Sequence, residues 1–330
     1  MSHPSPGADP SSILGVATGY MAAKQLFAAS ETGVFAALAD GPATATEIAG
    51  RAGLPQRTAR ILADTMAALG LLTREDGRYA NTPATAAYLA GDAGGIDLRP
   101  FLAFLDAISY PHWLGFAATT RSDKPQQLDM AGERMQTFMT GVMTYNALHA
   151  RMLAENFDFT SHSRILDFGG LSGSFLIEAL KAADKAHGTF LGPADFTGFA
   201  TTAFEEAGLG ERTAVVEADP LTGELPDGFD CVLMEHVVHR FDAEQNKTLI
   251  ERARQAAAPG AKLVLLDFFL DEDPEQRLID ALHAGEYLVI DGTVVYPEAE
   301  VRGWLTDAGW EPVETRALPG SPRIIIAEAR

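Results

Sequence analysis

The chain has 330 residues, 47% hydrophobic and 21% charged, which is enough apolar material for more than one core. A formal net charge of −20 repels phosphate backbones and anionic lipid, which argues against nucleic acid or a membrane surface as partner. A single cysteine, Cys231, excludes an intramolecular disulfide and a multi-cysteine metal cluster.

Residues 1–12 carry no Lys or Arg and no apolar core, so they read as a disordered tail rather than a signal peptide. No run approaches the roughly 20 apolar residues that span a bilayer, and a cytoplasmic location is expected. Residues 13–28 and 34–38 read as helices separated by Gly33. Thr46 is placed to cap a helix over 47–52, Gly53 turns the chain, and Pro55 opens a second helix through Leu69. Residues 71–83 read as a hairpin with Asp76-Gly77 as its turn. Helix, turn, helix and hairpin make a winged-helix arrangement, which invites a DNA-binding reading. Residues 1–100, however, hold 7 Lys/Arg against 9 acids, a net of −2, and the second helix offers only Arg57 and Arg60. A DNA reader neutralises several phosphates, so residues 13–100 are expected to form a dimerisation domain instead.

Residues 101–160 read as a helical linker rich in large groups, among them Phe101, Phe104, Tyr110, Trp113 and Phe116. A helix over 135–155 places Met139, Met143, Asn146 and His149 on one face. That face suits either core packing or the wall of a pocket for a flat aromatic ligand, which soft methionines accommodate. From residue 161 onward strands alternate with helices. Strands at 163–168, 189–191, 214–217, 231–237 and 262–269 argue for a parallel, doubly wound sheet. Residues 312–318 and 323–328, joined by Pro-Gly-Ser-Pro, read as an antiparallel hairpin at the sheet edge.

Ligands of such sheets sit beyond the carboxyl ends of the strands. Those ends carry Asp167-Phe-Gly-Gly-Leu-Ser-Gly173, then Asp219, then Glu235, His236 and His239, then Asp267. In this order, behind a winged-helix unit, they make the chain resemble the plant caffeic-acid-type O-methyltransferases and their bacterial relatives of secondary metabolism, from residue 13 to the C-terminus. The resemblance implies an α/β fold, a Rossmann-like seven-stranded methyltransferase sheet preceded by an α-helical winged-helix dimerisation domain, in a homodimer. It implies S-adenosylmethionine as cofactor, cradled by Asp167, Gly169, Gly170, Gly173 and Asp219. It also implies a small aromatic or polyketide-type substrate whose hydroxyl is methylated, with His239 as base and Asp267 bracing it. Met139, Met143, Asn146, Glu235, His236, His283 and Glu286 are the expected pocket residues. A phenol ionises near about 10, so a histidine within hydrogen-bond reach helps transfer at neutral pH, and a carboxylate fixes its tautomer.

Three positions depart from the family's pattern. Leu171 stands for the middle glycine of the turn, Gly192 for the acid that grips the ribose, and Val295 for a second acid bracing the histidine. Two changes touch the cofactor site and one the base, so a second reading stays open: cofactor-independent cyclisation, elimination, isomerisation or decarboxylation in the same pocket. A metal held by His236, His239, Asp267 and His283 is a third. A polar pocket lining explains those residues more simply, and no metal is expected.

Overall fold

The computed structural model describes residues 9–91, 95–272 and 276–330. Residues 1–8 of the expected tail lie outside the described residues, and a helix already begins at Ser11. The chain divides into two compact units, one of residues up to 110 with 130–144 and one of 111–129 with 145–330. The segment 101–160 therefore contributes to both units.

The first unit opens with α1 (Ser11–Glu31), closed by Gly33 in the left-handed region. Next come β1 (Ala43–Thr44), α2 (Ala45–Ala52) and α3 (Gln56–Ala68). The cap of α2 is Thr44, not Thr46. Thr44 has extended backbone angles, its hydroxyl accepts the amide of Glu47, and the Glu47 carboxylate accepts the amide of Thr44. That reciprocal box is the stronger signal; Thr46 is already helical and instead receives Gln56 Nε2. Strands β2 (Leu72–Glu75) and β3 (Arg78–Asn81) form the expected hairpin, with positive φ at both Asp76 and Gly77, and β3 lies between β1 and β2. Phe35, Ile48, Ala63, Met66, Leu72 and Tyr79 are among the residues of its core. On α1, by contrast, Ile13, Leu14 and Val16 are 71%, 57% and 85% exposed.

The second unit is built on a seven-stranded sheet. Its strands are β4 (Arg164–Phe168), β5 (His187–Gly192), β6 (Thr213–Glu217), β7 (Phe229–Glu235), β8 (Ala257–Asp267), β9 (Trp310–Ala317) and β10 (Arg323–Ala329). Their order is β6-β5-β4-β7-β8-β10-β9, parallel except that β10 runs antiparallel to both neighbours. The expected terminal hairpin is thus present, with β10 seated directly on β8 and β9 at the edge. Both faces are covered. Leu166 and Phe168 pack with α7 (Ala243–Ala256) and α9 (Glu298–Asp307). Ile165 packs with α5 (Ser174–Ala182), α6 (Ala194–Glu206) and the end of α4 (Glu133–Asn156). One further helix, α8 (Leu278–Ile290), follows β8. Asp167 lies opposite Leu233 in the β4–β7 register, so Glu235, two residues on, shares a sheet face with Asp167.

Candidate active site

The parallel strands end together, and the chain from β4 to α5 passes over those ends as a glycine turn. Gly169 and Gly173 have φ of 83° and 68°, and Gly173 caps α5. A Cβ on Gly170 would lie 2.1 Å from Asp167 Oδ1, because the Gly170 amide donates to that oxygen at 3.1 Å. Glycine is therefore required at 169 and 173 by conformation and at 170 by space. Leu171 is not among the positive-φ residues, so its backbone makes no such demand. Gly192 ends β5, and a Cβ there would meet the Phe190 ring at 3.0 Å and Gly170 O at 3.5 Å. Asp219 is exposed and accepts the amide of Leu221, two residues on.

Below this turn lies a buried set of charges. Asp167 is 1% exposed and Glu235 2% exposed, and neither Glu235 oxygen has a hydrogen-bond partner among the described residues. Burial pushes the Asp167 carboxyl up to about 7, against the pull of the Gly170 amide and Arg240. Burial, and then the charge of Asp167, raise the Glu235 carboxyl well above the carboxylate range. Arg240 faces both acids and ties two loops together: its Nε donates to His236 O at 2.7 Å, and its Nη2 donates to Gly169 O.

At the ends of β7 and β8 stands a cluster of imidazoles. His239 Nδ1 lies 3.0 Å from each oxygen of Asp267, whose carboxylate also accepts the amides of His239 and Phe268. Burial alone would raise Asp267, but the charge and hydrogen bond of His239, with His236 and the Phe268 amide, hold it below the usual range. The His239 ring stacks on Tyr287 of α8 at 4.3 Å. His236 has a φ of 53°, uncommon for a residue other than glycine. It is held by its amide bond to Leu266 O, by Arg240 on its carbonyl, and by His149 Nδ1 at 2.9 Å from its Nε2. Burial pulls His236 down to about 3 and His149 well below its ordinary value, so both rings are neutral. His283 is lowered to about 4 by burial; its Nδ1 meets Ile279 O at 2.8 Å, and its ring stacks on Phe268 at 3.7 Å. Tyr145 OH lies 3.3 Å from His283 Nε2.

Of the residues singled out in the sequence, His239 and Asp267 meet, and Asp167, Gly169, Gly170 and Gly173 form one turn. His236 and His283 join the cluster; Glu286 accepts Trp113 Nε1 nearby in the same unit. Asn146 is buried in the second unit, whereas Met139 and Met143 belong to the first. Glu235, at the end of β7 and next in the chain to His236, faces Asp167 and Arg240 under the glycine turn. Donor atoms of His236, His239 and Asp267 lie within 4.8 Å of one another. One nitrogen of each ring is engaged, His239 Nδ1 with Asp267 and His236 Nε2 with His149. His283 stands outside that group. Val295 is buried. His149, Tyr145, Tyr287 and Arg240 were not singled out as site residues by the sequence reading; only the helical spacing of His149 with Asn146 offered a hint.

Residues 109–311 match the model of the O-methyltransferase domain, and residues 14–91 that of the O-methyltransferase dimerisation domain. The chain belongs to the O-methyltransferase family. It is 32% identical to the 3-hydroxy-5-methyl-1-naphthoate 3-O-methyltransferase of Streptomyces sahachiroi, over 96% of this chain and 94% of that one. It is 27% identical to the tetracenomycin polyketide synthesis 8-O-methyl transferase TcmO of Streptomyces glaucescens, over 96% of each. Among solved structures, the S-adenosylmethionine-dependent methyltransferase SibL in its apo form matches with a TM-score of 0.85 at 29% identity, over 97% of this chain and 99% of that one. This O-methyltransferase-family chain has, among its described residues, no helix long and apolar enough to cross a membrane.

Proposed function

We propose that the protein, as a homodimer, methylates a hydroxyl of a small aromatic or polyketide-type metabolite with S-adenosylmethionine as donor. The observation that carries this reading is the His239–Asp267 pair, a histidine whose Nδ1 is fixed by a buried carboxylate at 3.0 Å. With Nδ1–H donated to Asp267, Nε2 is left as the acceptor for an acidic hydroxyl, and Asp267 stabilises the imidazolium that forms when the proton arrives. Tyr287, stacked on the ring, limits its rotation. The neutral aromatic and imidazole side chains of His236, His283, Tyr145 and Phe268 suit a flat ring more than a charged chain.

The residues present fit the donor. Gly169, Gly170 and Gly173 give the close backbone approach that such a ligand needs, Leu171 adds no strained backbone, and the unpartnered Glu235 suits a cation. When bound, S-adenosylmethionine supplies an electrophilic methyl group on a sulfonium. Relatives matching along the whole chain are named as methyltransferases, which favours methyl transfer over a rearrangement in the same pocket.

The test is incubation with S-adenosylmethionine and a panel of hydroxynaphthoates and polyketide phenols, followed by mass spectrometry. A product one methylene heavier is expected. His239→Ala should lower kcat by roughly 10²–10⁴-fold, with the loss smaller at high pH, where the phenol ionises unaided. A variant of near-full activity at neutral pH would remove His239 from the role of base.

A further inference from the structure

We propose that Glu235 binds the ammonium group of the donor's methionine moiety, moving the site's acidic grip from the ribose to the amino-acid end of the cofactor. The inference rests on the donor being S-adenosylmethionine.

Three independent features point to it. Glu235 is 2% exposed, yet both its oxygens lack a hydrogen-bond partner among the described residues, although buried carboxylates are ordinarily bonded several times over. Such an orphan is costly unless something completes it. Second, its position at the carboxyl end of β7, beside the glycine turn on β4, is where open α/β sheets take their ligands. Third, the local charge is uneven: three acids, Asp267, Asp167 and Glu235, face the one guanidinium of Arg240, and Asp267 is already paired with His239. Arg240 spends its Nε on His236 O and its Nη2 on Gly169 O. Asp167 has a fixed donor in the Gly170 amide; Glu235 has none from any other described residue. What fits a desolvated carboxylate with free lone pairs is a compact cation with several N–H donors. At the end of β5, where a ribose-gripping acid is expected, Gly192 offers no side chain. An acid is missing at one end of the cradle and stands unpaired at the other.

The ligand-free carboxyl has a simple way to avoid its cost, which is to hold a proton. The charged groups facing it are Asp167 from β4 and Arg240 from the turn after β7. The helices over this face contribute apolar residues, Ala150 and Leu153 from α4 and Phe175 and Leu176 from α5. When the ammonium arrives it donates to the carboxylate, and the displaced proton leaves to the buffer. Binding is therefore coupled to release of a proton.

Isothermal titration of wild type and Glu235→Gln, near neutral pH and in two buffers of different ionisation enthalpy, separates the terms. The probes are S-adenosylhomocysteine, which carries the ammonium, and 5′-methylthioadenosine, which lacks the amino-acid part. Wild type is expected to bind S-adenosylhomocysteine with proton release. Glu235→Gln should bind it at least about tenfold more weakly with no proton release, and should bind 5′-methylthioadenosine as wild type does, which also shows that the variant is folded. Unchanged S-adenosylhomocysteine affinity in Glu235→Gln, or equal weakening of both probes, overturns the assignment of Glu235 and leaves the cofactor standing. Failure of wild type to bind either probe overturns the proposed donor and this inference together.

Discussion

Burial holds His149, His236 and His283 neutral, and this has a measurable cost in acid. Unfolded, each takes up a proton near 6.5; folded, His236 does so near 3 and His283 near 4. Below about 6.5 the unfolded chain therefore binds more protons, and these rings remove stability as pH falls from about 6.5 towards 4. Asp167, raised to about 7, acts with the opposite sign, since there the folded state holds the extra proton. The clean test is thus a difference. His283→Phe keeps the stack on Phe268 and loses the titration, so its stability relative to wild type should improve on acidification, by at most about 1.4 kcal/mol per pH unit. Denaturant midpoints at several pH values measure it; parallel curves would show that His283 does not titrate in this way. Although Asp267 ends β8 and His239 sits on the turn after β7, their pairing was legible through the resemblance to the O-methyltransferases, which implies an acid bracing that histidine. The position of Glu235 was not. A residue's place at a strand end says nothing of the face it takes, which register alone decides.

Two short elements make predictions of their own. The capping box joins α2 to the strand before it through Thr44 and Glu47. Thr44→Ala should cost about 1 kcal/mol of stability, read as a lower denaturant midpoint. The glycine turn is less forgiving. Gly170→Ala places a Cβ 2.1 Å from Asp167 Oδ1, which displaces either the turn or the carboxylate. A loss of about 1–3 kcal/mol is expected, with weakened S-adenosylhomocysteine binding in calorimetry. Leu171→Gly, at a position with no positive φ, should leave the backbone as it is. Strands and helices were legible as elements because apolar runs bounded by glycine and proline leave few alternatives. The cap at Thr44 was misread as Thr46, since two threonines one turn-start apart differ only in backbone angle. The imidazole cluster was hidden for another reason: His149, His236 and His283 come from segments separated by 87 and 47 positions in the numbering, and only packing joins them.

At the scale of the whole molecule, the dimerisation domain leaves the start of α1 uncovered, with Ile13, Leu14 and Val16 facing out. If a second copy covers them, the double substitution Ile13→Glu and Val16→Glu should yield monomers in sedimentation velocity, while wild type sediments as a dimer at the same concentration. A monomeric wild type would refute the homodimer. The sheet carries a different consequence. Strand β10 is the last of its strands in chain order, yet it sits inside the sheet, and Arg323 at its start lies opposite Asp267. That arginine also bonds Asp271, Glu298 and Phe269 O. During synthesis on the ribosome, β8 waits with a bare edge until β10 emerges, and the carboxylate that orients His239 waits with it. A nonsense codon just before residue 323 would therefore abolish the active site as thoroughly as one in the middle of the gene, although every residue that touches the proposed chemistry would already have been made.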